Sequence, residues 1–238
     1  DVVEDANMRR GFFSINALWK NKIAVLVGDF LLSKGLLLAV RNEDFHLLKL
    51  TSRAVEEMSE GELLQIEKAR RLDIVEAVYY EIIRKKTASL IAACCAVGCA
   101  SVTNEEAQIQ KMWDFDEAIG IAFQIKDDLF DFGEAEVGKP RGNDLREGKK
   151  TLPLILAHEL ASPSDRRWLE KQARLSRTKN VARKKTIEYV KKSGAIEASN
   201  KEMLFFAEKA KDALRVLEPS EAVNSLILLA DYSMEREL

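Results

Sequence analysis

The chain has 238 residues, 47% of them hydrophobic and 32% charged, with a formal net charge of −2. That balance excludes a disordered chain, and the charge leaves no basic field to recruit nucleic acid. The length fits one large domain, residues 1–238. Cys94, Cys95 and Cys99 lie close together without a C-x-x-C pair, and His46 and His158 are isolated. A zinc site is therefore not expected; small buried thiols in a reducing compartment are.

The chain opens on an acidic segment, Asp1-Val2-Val3-Glu4-Asp5, with no initiating Met and no signal peptide. It reads as a fragment cut inside that segment. Arg9-Arg10-Gly11 follows, and Arg supplies a planar fork suited to phosphate oxygens. The apolar stretch 23–40 has the length of a membrane span but carries Asp29 and Lys34. Each costs about 2.5–3.5 kcal/mol near a bilayer centre, so a buried core helix is expected and no span.

The four prolines fall at 140, 153, 163 and 219, leaving the first 139 residues free of them. Proline costs about 3 kcal/mol inside a helix, so long helices are permitted there. Period-two alternation is lacking, and an all-α protein is expected. Helix starts are predicted at Asp73 with Glu76, at Thr103 with Glu106 in capping-box spacing, at Ser162-Pro163 and near Pro219. Gly194 is expected to close the helix that runs through Val190. Residues 133–150, with four glycines and Pro140, read as a loop.

The most informative segment is Phe123-Gln124-Ile125-Lys126-Asp127-Asp128-Leu129-Phe130-Asp131. On a helix Gln124, Asp127, Asp128 and Asp131 share one face, while Ile121, Ala122, Ile125, Leu129 and Phe132 form the other. Clustered carboxylates repel, and oxygen-only donors favour Mg²⁺. Asp127 and Asp131, one turn apart, are placed to grip one ion. Lys86-Thr87 precedes an apolar run, so Lys86 is expected to point inward toward an anionic partner. Lys149 ends the glycine-rich loop. Acid and base together suggest binding of an anion with a metal.

At these residues the chain resembles a trans-polyprenyl diphosphate synthase. Asp127-Asp128-Leu129-Phe130-Asp131, with Phe123-Gln124, matches the family's second aspartate-rich motif. Met8-Arg9-Arg10-Gly11 matches the arginine segment after the first. Val27-Gly28-Asp29-Phe30-Leu31-Leu32, Lys86-Thr87 and Gly148-Lys149-Lys150-Thr151-Leu152-Pro153 fall in the family's order. The match runs to about residue 160, and the wording at 12–22 and 58–73 resembles bacterial long-chain members.

The resemblance implies an isoprenoid-synthase-type helical bundle around a central cavity, lacking its N-terminal helices, and a soluble cytoplasmic homodimer. It implies Mg²⁺-dependent ionisation of an allylic diphosphate and attack by isopentenyl diphosphate. Metal-side residues are then Asp127, Asp128 and Asp131, with Asp1 and Glu4 in a first motif whose leading Asp would precede this chain. Glu4 stands where the family has Asp, and Asp5 is its neighbour. Arg9, Lys86 and Lys149 would face the allylic diphosphate, and Arg10 isopentenyl diphosphate. Thr87 and Gln124 would offer oxygen dipoles to the cation. Ala24 and Gly28 would leave room for a growing hydrocarbon chain, or simply allow close helix packing. Without its N-terminal helices the chain is expected to be poorly active. Two other readings stand beside this one: a non-catalytic regulatory subunit of a heteromeric synthase, and a terpene cyclase of related fold.

Overall fold

The structure, a computed structural model, describes residues 7–9, 11–71, 75–133, 142–215 and 217–235. Asp1, Glu4, Asp5, Arg10 and Asp73 lie outside the described residues. The chain forms two compact units, Asp1–Lys49 and Leu50–Leu238.

The first unit contains β1 (Met8–Arg9) and β2 (Phe12–Phe13), paired antiparallel with Met8 opposite Phe13. This short hairpin is the one departure from an all-α chain among the described residues. Gly11, at φ 80, makes its turn. Helix α1 (Ile15–Arg41) starts where the Ser14 hydroxyl accepts from the Ala17 amide at 3.3 Å, and it breaks at Lys20, whose φ is 66. The sequence led us to expect a buried helix here, and that is corrected: Trp19, Phe30 and Leu38 are exposed, and Asn16 is the helix's buried residue. Among the described residues of this unit, a side chain at Gly28 would meet nothing within 4 Å. By length and composition alone α1 could cross a membrane, with mean hydropathy 2.1 over its most apolar window.

Among the described residues, every element of the second unit is a helix. It takes in most of α2 (Phe45–Arg71), then α3 (Glu76–Ile83) and α4 (Ser89–Ala100), which are joined by a π-helical turn at Arg84–Ala88. Then come α5 (Glu106–Phe130), α6 (Asn143–Glu147), α7 (Leu152–Leu160) and α8 (Pro163–Ser176). Helices α9 (Asn180–Lys192), α10 (Ala195–Arg215) and α11 (Glu221–Glu235) complete it.

Helix α5 lies at the centre, packed against α4 and α10. Its predicted apolar face holds: Ile121, Ala122, Ile125, Leu129 and Phe132 are all buried. They meet Tyr79, Ile83, Leu152, Ile155 and Met203 in one cluster, apart from Phe132, which packs with Leu145, Leu154 and Leu169. Removing such surfaces from water is worth about 25 cal/mol per Å² and is the main force holding the unit together.

Several predicted caps are met. Ser162 accepts from the Asp165 amide with Pro163 in the first turn, Ser220 accepts from the Val223 amide, and Gly194 takes φ 82 after α9. The capping box at Thr103 is corrected. The Thr103 hydroxyl accepts from the Glu105 amide only two residues on, and α5 starts later along the chain than a box would place it. The loop expected at 133–150 contains the short helix α6. The thiols are less enclosed than expected, since Cys94 is exposed and Cys95 and Cys99 are partly buried.

Candidate active site

The π-helical turn carries Lys86 and Thr87. The Ser89 amide donates back to the Arg84 carbonyl, and the Ser89 hydroxyl donates to the Lys85 carbonyl at 2.6 Å. These bonds satisfy the backbone that a wide turn leaves over. Two glycines let neighbouring helices close on the turn. A Cβ at Gly61 of α2 would lie 2.7 Å from the Lys86 amide nitrogen, and one at Gly120 of α5 would lie 2.6 Å from the Ala88 Cα. Only a residue without a Cβ fits at either place.

The three cations of the turn are paired with acids. Arg84 reaches Glu57 at 3.2 Å, Lys85 reaches Glu60 and Glu81 at 3.1 Å each, and Lys86 reaches Glu62 at 2.5 Å. Lys86 also donates to Gln65 at 3.1 Å. The anionic partner expected for Lys86 thus exists, supplied by α2.

Thr87 leads into a continuous hydrogen-bonded chain. Its hydroxyl donates to Gln124 Oε1 at 3.1 Å, Gln124 Nε2 donates to Asp128 Oδ1 at 3.0 Å, and the Tyr79 hydroxyl donates to Asp128 Oδ2 at 2.7 Å. Asp128 is buried, with 4% of its surface exposed. Burial pushes its carboxyl up to about 7, against the pull of the Tyr79 hydroxyl. The same burial, with the Asp128 charge beside it, raises Tyr79 well above the usual phenol range. This differs from the expected polar stripe. Asp127 and Asp131 are partly buried, whereas Asp128 turns inward and both its oxygens already accept hydrogen bonds.

Asp131 has one satisfied oxygen and one orphan. Its Oδ1 accepts from the Asn143 amide at 2.8 Å, while Oδ2 is buried with no hydrogen-bond partner among the described residues. Desolvation, with the Asp144 charge behind it, pushes its carboxyl up to about 6. The Asp144, Asn143 and Leu145 backbone amides pull against that rise, and a carboxylate held this way suits a cation; oxygen-only donors suit Mg²⁺. Among the described residues no three carboxylate, thiol or imidazole groups converge enough to hold an ion by themselves. Asp131 and its neighbour Asp127 therefore fit one side of a metal site.

Asp144 is a site residue that the sequence reading missed. It sits in the first turn of α6, between Gly142 and Gly148, both left-handed at φ 70 and 80. It accepts from Lys149 Nζ at 3.4 Å, and Glu147 accepts from the same group at 2.7 Å. Burial alone would lower the Lys149 ammonium, but Asp144 and Glu147 together raise it. Lys149 also borders a cavity of about 180 Å³ with Lys150, Arg174 and Arg177. Arg9 lies in β1 with its backbone described, and the structure brings together Lys86 with Gln65, and Thr87, Gln124 and Asp128 as one bonded group.

Comparison with known proteins identifies the family. The family model described as polyprenyl synthetase matches residues 1–190, further than the sequence motifs reached. A short chain isoprenyl diphosphate synthase of Methanothermobacter thermautotrophicus is 37% identical over the whole chain and 74% of its own length. A decaprenyl diphosphate synthase from Rhodobacter capsulatus, whose crystal structure is known, gives a TM-score of 0.91 at 36% identity, covering all of this chain and 74% of that one. A polyprenyl synthase from Caulobacter crescentus, solved in complex with calcium and isoprenyl diphosphate, gives 0.89 at 34%, covering all of this chain and 73% of that one. With its helical fold, its second aspartate-rich helix and these matches, the chain belongs to the polyprenyl synthetase family of prenyltransferases.

Proposed function

We propose that the protein condenses isopentenyl diphosphate with an allylic diphosphate, with Mg²⁺, to give a longer all-trans polyprenyl diphosphate. The observation that carries this is the orphan Oδ2 of Asp131, one helical turn beyond the Thr87–Gln124–Asp128 chain. A partly buried carboxyl thus stands next to a pair of oriented oxygen dipoles. The Caulobacter relative, with calcium and isoprenyl diphosphate bound, supports the same pairing of a divalent ion with a diphosphate.

In this reading Asp127 and Asp131 would hold Mg²⁺, which would supply charge neutralisation on the departing diphosphate. Lys86 and Lys149 bind the allylic diphosphate. The allylic C–O bond breaks heterolytically, releasing pyrophosphate and an allylic cation. Thr87 and Gln124 turn oxygen dipoles toward that cation. The double bond of isopentenyl diphosphate forms the new C–C bond, and a proton leaves to the released pyrophosphate.

The reading takes residues 1–238 as one functional portion of a soluble cytoplasmic homodimer. The free thiols accord with a reducing compartment, and the exposed apolar side chains of α1 accord with a partner surface. The test is incubation of the purified protein with labelled isopentenyl diphosphate, a panel of allylic diphosphates and Mg²⁺. Extractable labelled polyprenyl product is expected, at low turnover. No product with any member of the panel overturns the reading.

A further inference from the structure

The second carboxylate of the aspartate-rich helix stands apart from its neighbours. Both oxygens of Asp128 accept hydrogen bonds, one from Tyr79 and one from Gln124, and the side chain is buried. Each oxygen of Asp128 is thus already engaged inside the fold, whereas Asp131 Oδ2 has no hydrogen-bond partner among the described residues. When ionised, Asp128 has no proton to give, and a carboxamide facing it must then present its NH₂. The opposite end of Gln124, its carbonyl oxygen, is then forced toward Thr87, where the structure finds it at 3.1 Å.

We propose that Asp128 is a positioning residue that fixes which way round the Gln124 carboxamide lies, and that Tyr79 holds Asp128 for that task. The inference rests on the condensation proposed above, which uses the Gln124 oxygen dipole. Tyr79 comes from α3 and Asp128 from α5, so the clamp spans two helices. Tyr79 is itself immobilised: it is 4% exposed and stacks edge-on against Tyr80 with ring centroids 5.4 Å apart. Without an acceptor-only group at 128 the carboxamide can reverse. Its NH₂ then faces Thr87, and a positive end replaces a negative one where the cation forms. Such a reversal weakens the transition state and leaves ground-state binding in place.

The experiment compares Asp128→Asn, Tyr79→Phe and the exchange variant Asp128→Asn/Gln124→Glu with the parent protein. In Asp128→Asn a donor replaces one acceptor at nearly constant shape. Turnover is expected to fall about tenfold or more at saturating substrate, with KM for both diphosphates and the half-saturating Mg²⁺ within about twofold of the parent. Tyr79→Phe is expected to show a smaller loss with the same signature. In the exchange variant the carboxamide introduced at position 128 donates to the carboxylate introduced at position 124. The second oxygen of that carboxylate again faces Thr87, and turnover is expected to recover severalfold over the single variant. In metal-free protein the Gln124 side-chain amide resonance, assigned by its absence in Gln124→Glu, is expected to shift in both single variants.

A rise in half-saturating Mg²⁺ that matches the loss in Asp128→Asn makes Asp128 a metal ligand and overturns the proposal. So does unchanged turnover in Asp128→Asn, or an exchange variant no better than the single one. Should Asp128→Asn fail to fold, Tyr79→Phe decides, and parent-like turnover and amide resonance in it overturn the proposal. A parent protein without condensation activity defeats the proposed function instead; the metal-free amide resonance then still reports on the clamp.

Discussion

Gly120 crosses Ala88 so closely that a Cβ on the glycine would sit 2.6 Å from the Ala88 Cα and 2.8 Å from its Cβ. The contact is with backbone, which cannot swing aside as a long side chain does. Gly120→Ala must therefore push α5 away from the π-helical turn, and Thr87 precedes Ala88 directly. Overpacking of this kind costs about 1–3 kcal/mol. We expect a lower midpoint in denaturant melts together with a fall in turnover, because the Thr87–Gln124 bond of 3.1 Å spans the same two elements.

Glu62 holds Lys86 at 2.5 Å, with 32% of the Glu62 side chain and 27% of the Lys86 side chain exposed. A diphosphate must compete with that carboxylate for the ammonium. Glu62→Gln keeps the shape and removes the charge. Calorimetric titration with a non-ionisable allylic diphosphate analogue is expected to show binding about two- to fivefold tighter, the scale of a partly exposed ion pair.

Asp131→Asn removes the negative charge that the orphan oxygen carries. Half-saturating Mg²⁺ in the steady-state assay is expected to rise at least about tenfold. Asp127→Ala should lower turnover on the order of 100-fold with little loss of folding, since it relieves repulsion among neighbouring carboxylates. Thermal melts in chelator, where metal plays no part, check the second half of that statement.

Asp128 also sets a pH dependence of stability. Its folded value of about 7 lies above the ordinary 3.8, so the folded state binds the proton more tightly than the unfolded one. The stabilising contribution is complete below the ordinary value and is lost as pH rises through about 7. Asp128→Asn removes that loss. Denaturant unfolding in chelator across this window should show a shallower decline for the variant than for the parent.

The acidic helix could be read from its sequence because its two faces differ so sharply: Ile121, Ala122, Ile125 and Leu129 on one side, Asp127 and Asp131 on the other. Local patterns also give Ser162-Pro163 and Gly194, where one side chain or one backbone angle decides the outcome. What escaped depends on distant residues. Tyr79 and Asp128 are 49 positions apart, and no spacing rule connects them. Helical spacing does bring Asp128 to Gln124, four residues apart, but the burial of Asp128 against that hydroxyl is not legible from spacing. Asp144 lay hidden in a stretch whose glycines suggested only a loop, although two left-handed glycines bracketing a short run are also compatible with a single helical turn. Apolar composition led to burial for α1, but composition describes what a helix prefers to touch and not what this chain supplies to touch it.

The π-helical turn has one more consequence. An ordinary helix advances about 100° per residue, so a single extra residue between α3 and α4 rephases everything beyond it. Tyr79, Ile82 and Ile83 before the turn and Ala92, Ala93 and Ala96 after it are all buried, yet they belong to different angular sequences. Deleting any one residue from 84–88 would straighten the helix and swing the alanine face away from Trp113 and Ile109. Chain length at this spot is thus as constrained as residue identity, and insertions and deletions here face a sterner test than substitutions.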